Sequence, residues 1–222
     1  MLTPAYFAFF RELADDNEKV WFEANRARYE RDVKEPLLAI IRAVAAPMAE
    51  ISPHIKVDPR ANGGSMFRIY RDTRFSKDKA PYKTNGAVHF RHVAGKDAHA
   101  PGYYLHLAPD DVFVAGGLWA PEPEVAARIR ETILARPDAW RAAVEPLTPG
   151  MIYEMESYKR PPAGVPADHP LLADLKRKHF IFGRKMTEAQ TFDADFLPRV
   201  LADWRAMAPV MRFLTNAVGL EF

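Results

Sequence analysis

Hydrophobic positions along the chain change period twice, from helical spacing to strand-like runs near residue 64 and back to helical spacing near residue 123. In the first block Thr3 is placed as an N-cap and Pro4 as the first helical residue, after which Phe7, Phe10 and Leu13 recur at helical spacing. A short amphipathic helix is predicted there. Asp15, Asp16 and Asn17 break it and supply caps for a second, longer helix carrying Trp21, Phe22, Tyr29, Val33, Leu37, Ile40, Ile41 and Val44. Pro36 is expected to kink that helix or end its first half.

Proline and glycine punctuate the chain from Pro53 to Gly64, and short β-type runs follow over 65–75, 86–93, 102–108 and 112–119. Pro109, Asp110 and Asp111 between the last two runs predict a hairpin turn, and such short links favour antiparallel pairing. Val125, Ile129 and Ile133 then mark one stripe of a helix that starts at Pro123 and ends at Arg136 and Pro137. Residues 158–170, with Pro161, Pro162, Gly164, Pro166 and Pro170, read as an ordered loop, and helices are expected over 171–179 and 196–218. The expected fold is α+β: a mostly antiparallel sheet covered by helices from the N- and C-terminal parts of the chain, in one domain over residues 1–222.

Composition narrows the class further. A chain of 222 residues can bury roughly 70% of its unfolded surface, and 48% hydrophobic with 27% charged residues is the balance of a folded protein. Cysteine is absent, which removes disulfides and thiolate metal sites. The opening MLTPAYFAFFREL meets Arg11 and Glu12 early and lacks a basic leader, so no signal peptide is read in it. No run of 18 uncharged apolar residues predicts a membrane span, and a cytoplasmic address is expected. A net charge of +2 does not mark a dedicated nucleic-acid domain; the clustering of charge says more.

That clustering is strongest in RIYRDTRFSKDKAPYK, residues 68–83. Arg68, Arg71, Arg74, Lys77, Lys79 and Lys83 stand there against Asp72 and Asp78, a local excess of four positive charges. A strand over its first part points Arg68, Tyr70, Asp72 and Arg74 one way and Phe67, Ile69, Arg71 and Thr73 the other. Guanidinium forks match phosphate or carboxylate oxygens bidentately, and a following lysine loop can close over such a ligand. The competing reading is a solvated face of ion pairs.

A second basic cluster joins Lys159 and Arg160 before the proline loop to Lys176, Arg177, Lys178 and His179 after it, with Asp168, His169 and Pro170 between. If Lys159, Arg160 and His169 fold back toward the first cluster, both make one electropositive cleft; otherwise they are separate patches. His89 and His92 face opposite sides of their strand and hold no metal jointly, while His89 has His106 as a cross-sheet candidate neighbour. Trp21, Asn25 and Arg28 share a helical face, and Gly116, Gly117 and Trp119 read first as a strand approached closely by another. No dinucleotide fingerprint, P-loop or zinc-protease helix motif is present, so neither a cofactor nor a metal is expected. Gly63, Gly64 and Ser65 lack the spacing of a nucleophile elbow.

WFEANRARYE near the start, RIYRDTRFSKDKAPYKT in the middle, and YKRPPAGVPADHP with LKRKHF later resemble the family named domain of unknown function 2461. GYYLHLAP and GGLWAP are similar to it as well. The resemblance implies one domain over nearly the full length and carries no activity, cofactor or catalytic residue with it. One mild departure is Tyr158, where the family pattern has leucine.

Three functions fit these residues. The first is binding of, or catalysis on, a phosphorylated or otherwise anionic small molecule held by Arg68, Arg71, Arg74, Lys77, Lys79 and Lys83, with Lys159 and Arg160 as second contributors. In catalysis, Asp72 orients a group or accepts a proton, and Tyr82 or His169 donates one. The second is a nucleic-acid module in which lysines meet phosphates and Tyr70, Phe75 or Tyr82 stack on bases. The third is a non-catalytic structural or partner-binding protein whose RDTRFSKDK segment is an ion-pair network.

Overall fold

The computed structural model describes residues 2–74, 76–95, 100–151 and 155–222. Thr3 is extended and Pro4 opens the first helix, α1 (Pro4–Asp15), whose Tyr6, Phe7, Phe9, Phe10 and Leu13 are buried. The long second helix expected from the sequence is divided. α2 (Lys19–Ala24) stops at Asn25, α3 (Arg26–Arg28) runs into a π-helical turn (Tyr29–Lys34), and α4 (Glu35–Ile51) follows with Pro36 in its first turn. A proline is tolerated there because its missing N–H is least needed at a helix start.

The sheet has five strands, β1 (Ile55–Lys56), β2 (Gly86–His92), β3 (Gly102–Ala108), β4 (Asp111–Leu118) and β5 (Phe180–Met186), paired antiparallel in chain order. Asp110, at φ 60°, makes the tight β3–β4 turn that the Pro-Asp-Asp run predicts. Strand alternation sends Val88, Phe90, Tyr103, Leu105, Leu107, Val112, Val114 and Phe182 into the core. His89, Arg91, Tyr104, His106 and Phe113 take the other face by register.

Between β4 and β5 come α5 (Pro123–Ala135), α6 (Pro137–Val144) and the single turn α7 (Leu172–Leu175), and the long α8 (Phe196–Ala217) follows β5. α8 packs on β4 and β5, and α4 packs on β2 and α8. Helices from both ends of the chain thus meet over the apolar side of the sheet. One cluster of buried side chains runs from Leu2 to Leu214.

Three expectations are corrected. Residues 65–75 form no strand among the described residues; only isolated bridges at Met66 and Tyr70 remain of it. Pro137, read as a terminator, is the first residue of α6, which buries Trp140 and ties its Nε1–H to Asp174 at 2.9 Å. The helix expected over 171–179 is one turn, and β5 follows without a sequence warning. β5 escaped because its inward Arg184 breaks the apolar alternation. Asp203 of α8 accepts from Arg184 Nε at 3.0 Å, and burial raises the Asp203 pKa against the pull of that cation.

Candidate functional site

Residues 65–83 leave the edge of β2 and return to it. Ser65 and Phe67 bond to its outer edge, through Phe67 N to Ala87 O at 3.0 Å and His89 N to Ser65 O at 2.8 Å. The chain then runs off the Gly86 end of the sheet and doubles back. Lys83 N bonds Ile69 O at 2.7 Å and Arg71 N bonds Pro81 O at 2.9 Å, which closes a loop at the Tyr70–Tyr82 bridge. The basic motif is therefore a loop closed at its base by a short antiparallel pair.

Two contacts fix that base to the helices. Asn17, in the turn between α1 and α2, presents its carboxamide like a peptide: Nδ2 donates to Tyr82 O at 3.1 Å, and Oδ1 accepts from Tyr82 N at 3.0 Å. The buried Tyr82 ring stacks on Phe22 of α2 at 4.3 Å and 21°. Burial raises the Tyr82 pKa, so the phenol stays protonated through neutral pH. Asn17→Ala removes both hydrogen bonds and is expected to destabilise the protein by about 1–3 kcal/mol. Urea unfolding measures this, and an unchanged midpoint contradicts the clamp.

Beside this base lies a cleft of about 510 Å³ lined by Ala14, Asn17, Arg71, Asp78, Ala80, Tyr82, Lys83, Thr84 and Asn85. Its volume is in the range of small-molecule sites. Arg71, on the Ile69 side of the alternation, is the guanidinium that reaches it. Arg71 Nη1 pairs with Asp78 Oδ2, while Asp78 Oδ1 accepts from Ala80 N at 2.9 Å; that backbone bond, then Arg71, lowers the Asp78 pKa. Lys83 Nζ donates to Arg68 O at 2.7 Å and lies 5.6 Å from the Phe67 ring centre. Burial, then the Arg68 charge, lowers the Lys83 pKa.

The other motif residues point elsewhere. Arg68 is exposed, and its carbonyl accepts from Lys83. Arg74 grips Asp72 at 2.9 and 2.7 Å on the exposed loop, which lowers the Asp72 pKa to about 2. Asp72 is thus ionised but does not line the cleft. Lys79 Nζ is held by Thr73 O at 2.9 Å, and Lys77 is exposed. Phe75 lies outside the described residues.

The second basic cluster is at the opposite corner of the sheet. The first motif leaves at the start of β2, whereas Ser157 bridges Arg177 and Tyr158 N bonds Lys176 O just before β5 begins. Three strand spacings of about 4.8 Å and some six residues of about 3.3 Å separate the two corners, roughly 25 Å in all. Lys159 and Arg160 are exposed there, and His169 is occupied locally, its Nδ1 accepting from Leu171 N at 3.1 Å. Asp72, Tyr82 and His169 are therefore not brought together.

Asn25 and Arg28 serve structure: Arg28 binds Glu12 at 2.6 and 2.8 Å and Asn25 at 2.9 Å. His89 faces Tyr104 across the sheet, with His106 beyond it bonded to the Tyr104 hydroxyl at 2.9 Å. Among the described residues no three metal-ligating side chains gather. No described helix is long and apolar enough to cross a membrane. Asn17, Thr84 and Asn85 were missed as cleft residues. The only sequence signal for the last two is their position directly after the basic motif.

Fold and cleft together define an α+β protein in which an antiparallel sheet, backed by helices, carries a polar cleft at one corner. The chain belongs to the family described as conserved hypothetical protein (DUF2461), whose model matches residues 5–213. No curated protein and no solved structure matches it.

Proposed function

We propose that the chain binds a small molecule bearing a phosphate or another anionic group in the cleft, with Arg71 and Lys83 supplying charge and Thr84 and Asn85 neutral polar contacts. The single observation that carries this reading is that two cationic residues, Arg71 and Lys83, line one ligand-sized cleft. Arg68, Arg74, Lys77 and Lys79 give it a positive surround, which speeds encounter more than it holds the ligand. Lys159 and Arg160 have no part in it. The cysteine-free sequence fits a reducing compartment, and the reading places the protein in the cytoplasm.

Lys83→Met is expected to weaken binding of phenyl phosphate roughly tenfold or more, the loss of one charge-assisted hydrogen bond, with an unchanged unfolding midpoint. Calorimetric titration measures it. The depressed Lys83 pKa adds a pH signature: affinity falls as pH rises through a value below the usual lysine range, and Lys83→Arg removes that fall because a guanidinium keeps its proton. Equal binding by Lys83→Met sinks the reading. A steep salt slope with single-stranded DNA or RNA, reporting several released counterions, replaces it with a nucleic-acid one.

A further inference from the structure

The cleft contains its own anion. Asp78 lies on the returning arm of the loop from Tyr70 to Tyr82 and places one carboxylate oxygen on Arg71. Its other oxygen holds Ala80 N, so the carboxylate and the turn at residues 78–80 move as a unit. The loop base is fastened by the Tyr70–Tyr82 bridge and by Asn17, whereas its outer part is held by exposed groups, Asp72 with Arg74 and Lys79 with Thr73 O. Asp78 is 65% exposed and Arg71 28%, so the anion can leave for water while the cation stays in place.

Charge then identifies the ligand. With Asp78 in place the cleft lining carries two cations and one anion; with Asp78 displaced it carries two cations, Arg71 and Lys83. A phosphate monoester brings a charge of about −1.5 to −2 at neutral pH and three acceptor oxygens. A monocarboxylate only replaces one carboxylate with another. We infer that Asp78 is an internal competitor on Arg71, and that the ligand class of the cleft is a phosphate monoester, which binds by displacing Asp78 and matching the two cations left behind. The inference rests on the anion-binding reading of this cleft.

The test titrates the whole chain with phenyl phosphate and with benzoate, a pair that differs in the anionic group. Phenyl phosphate is expected to bind wild type more tightly than benzoate. Asp78→Asn is expected to raise both affinities by the same factor, about two- to fivefold, since removing an internal competitor helps every occupant equally and the pair is a partly exposed one. Asp72→Asn deletes the same charge from the outer loop and is expected to leave both affinities where they are. Saturating phenyl phosphate is further expected to speed tryptic cleavage of the wild-type Lys79–Ala80 bond, because the turn at residues 78–80 swings away from the cleft together with the displaced Asp78.

If Asp78→Asn binds no better than wild type, or phenyl phosphate protects the Lys79–Ala80 bond, Asp78 is not a competitor. The anion reading then stands alone, provided Lys83→Met still loses affinity. Equal gains from Asp72→Asn reduce the effect to bulk charge and overturn the inference too. Benzoate binding as tightly as phenyl phosphate overturns the ligand class. If neither probe binds wild type or Asp78→Asn, both the inference and the reading beneath it fail.

Discussion

Gly117→Ala is expected to lower the unfolding free energy by about 4 kcal/mol, the sum of backbone strain and overpacking at about 1–3 kcal/mol each. Gly117 stands at φ 140° opposite Ile181, and a Cβ there comes within 1.9 Å of Phe180 O and 2.9 Å of Ile181 Cα. Both obstacles are backbone, so no rotamer change relieves them. Gly164, at φ 79° in the proline loop, has nothing within 4 Å of its Cβ position. Gly164→Ala therefore meets only the left-handed backbone penalty, about 1 kcal/mol. Urea unfolding of the two variants separates the terms, and equal losses would falsify the close-approach account.

The second large effect is a loss of stability in mild acid traced to His89. Its ring lies between Phe67, parallel at 6.2 Å, and the edge of Tyr104 at 6.1 Å. Burial, helped by the Arg91 charge, lowers its pKa from 6.5 to about 4. The folded state thus keeps His89 neutral where the unfolded chain takes up a proton. Its contribution is fully present above pH 6.5 and is lost as pH falls from there to about 4, reaching about 3 kcal/mol at 1.36 kcal/mol per pH unit. His89→Gln also changes packing by an amount independent of pH, so the informative quantity is the slope. Unfolding midpoints of the variant between pH 6.5 and 4 are expected to fall less steeply than those of wild type; parallel curves assign the acid sensitivity to other groups.

The reach of sequence reasoning followed the range of the forces involved. α1, β2, β3, β4, α5 and α8 were legible because each carries an uninterrupted apolar period and local stop signals. The family resemblance was legible for a similar reason, in contiguous motifs, and the match over residues 5–213 agrees with it. β5 was hidden because Arg184 needs Asp203, 19 residues away, before it can face the core, and Gly183 matters through the neighbouring strand, with Val114 O 2.3 Å and Ala115 Cα 3.1 Å from its Cβ position. At the site the basic motif reads from the sequence as a strand face followed by a lysine loop, with prominence on the face of Arg68 and Arg74, whereas the described residues form a loop closed at its base by the Tyr70–Tyr82 bridge. The cleft takes Arg71 from the opposite side together with Lys83. Asn17 could not be found from its neighbours, since its partner Tyr82 is 65 residues on.

The return of residues 65–67 to β2 also bears on what the sheet can do in company. β1 occupies the outer edge of β2 only opposite Arg91 and His92, which leaves the rest of that edge as a ready template for another strand. Ser65 O and Phe67 N take up the backbone groups of His89 and Ala87, and the bridge at Met66 faces Val88. The segment that launches the cleft loop is thereby a guard on the β2 edge. Strand addition by a neighbouring molecule at this edge first requires that the root of the basic motif be peeled away.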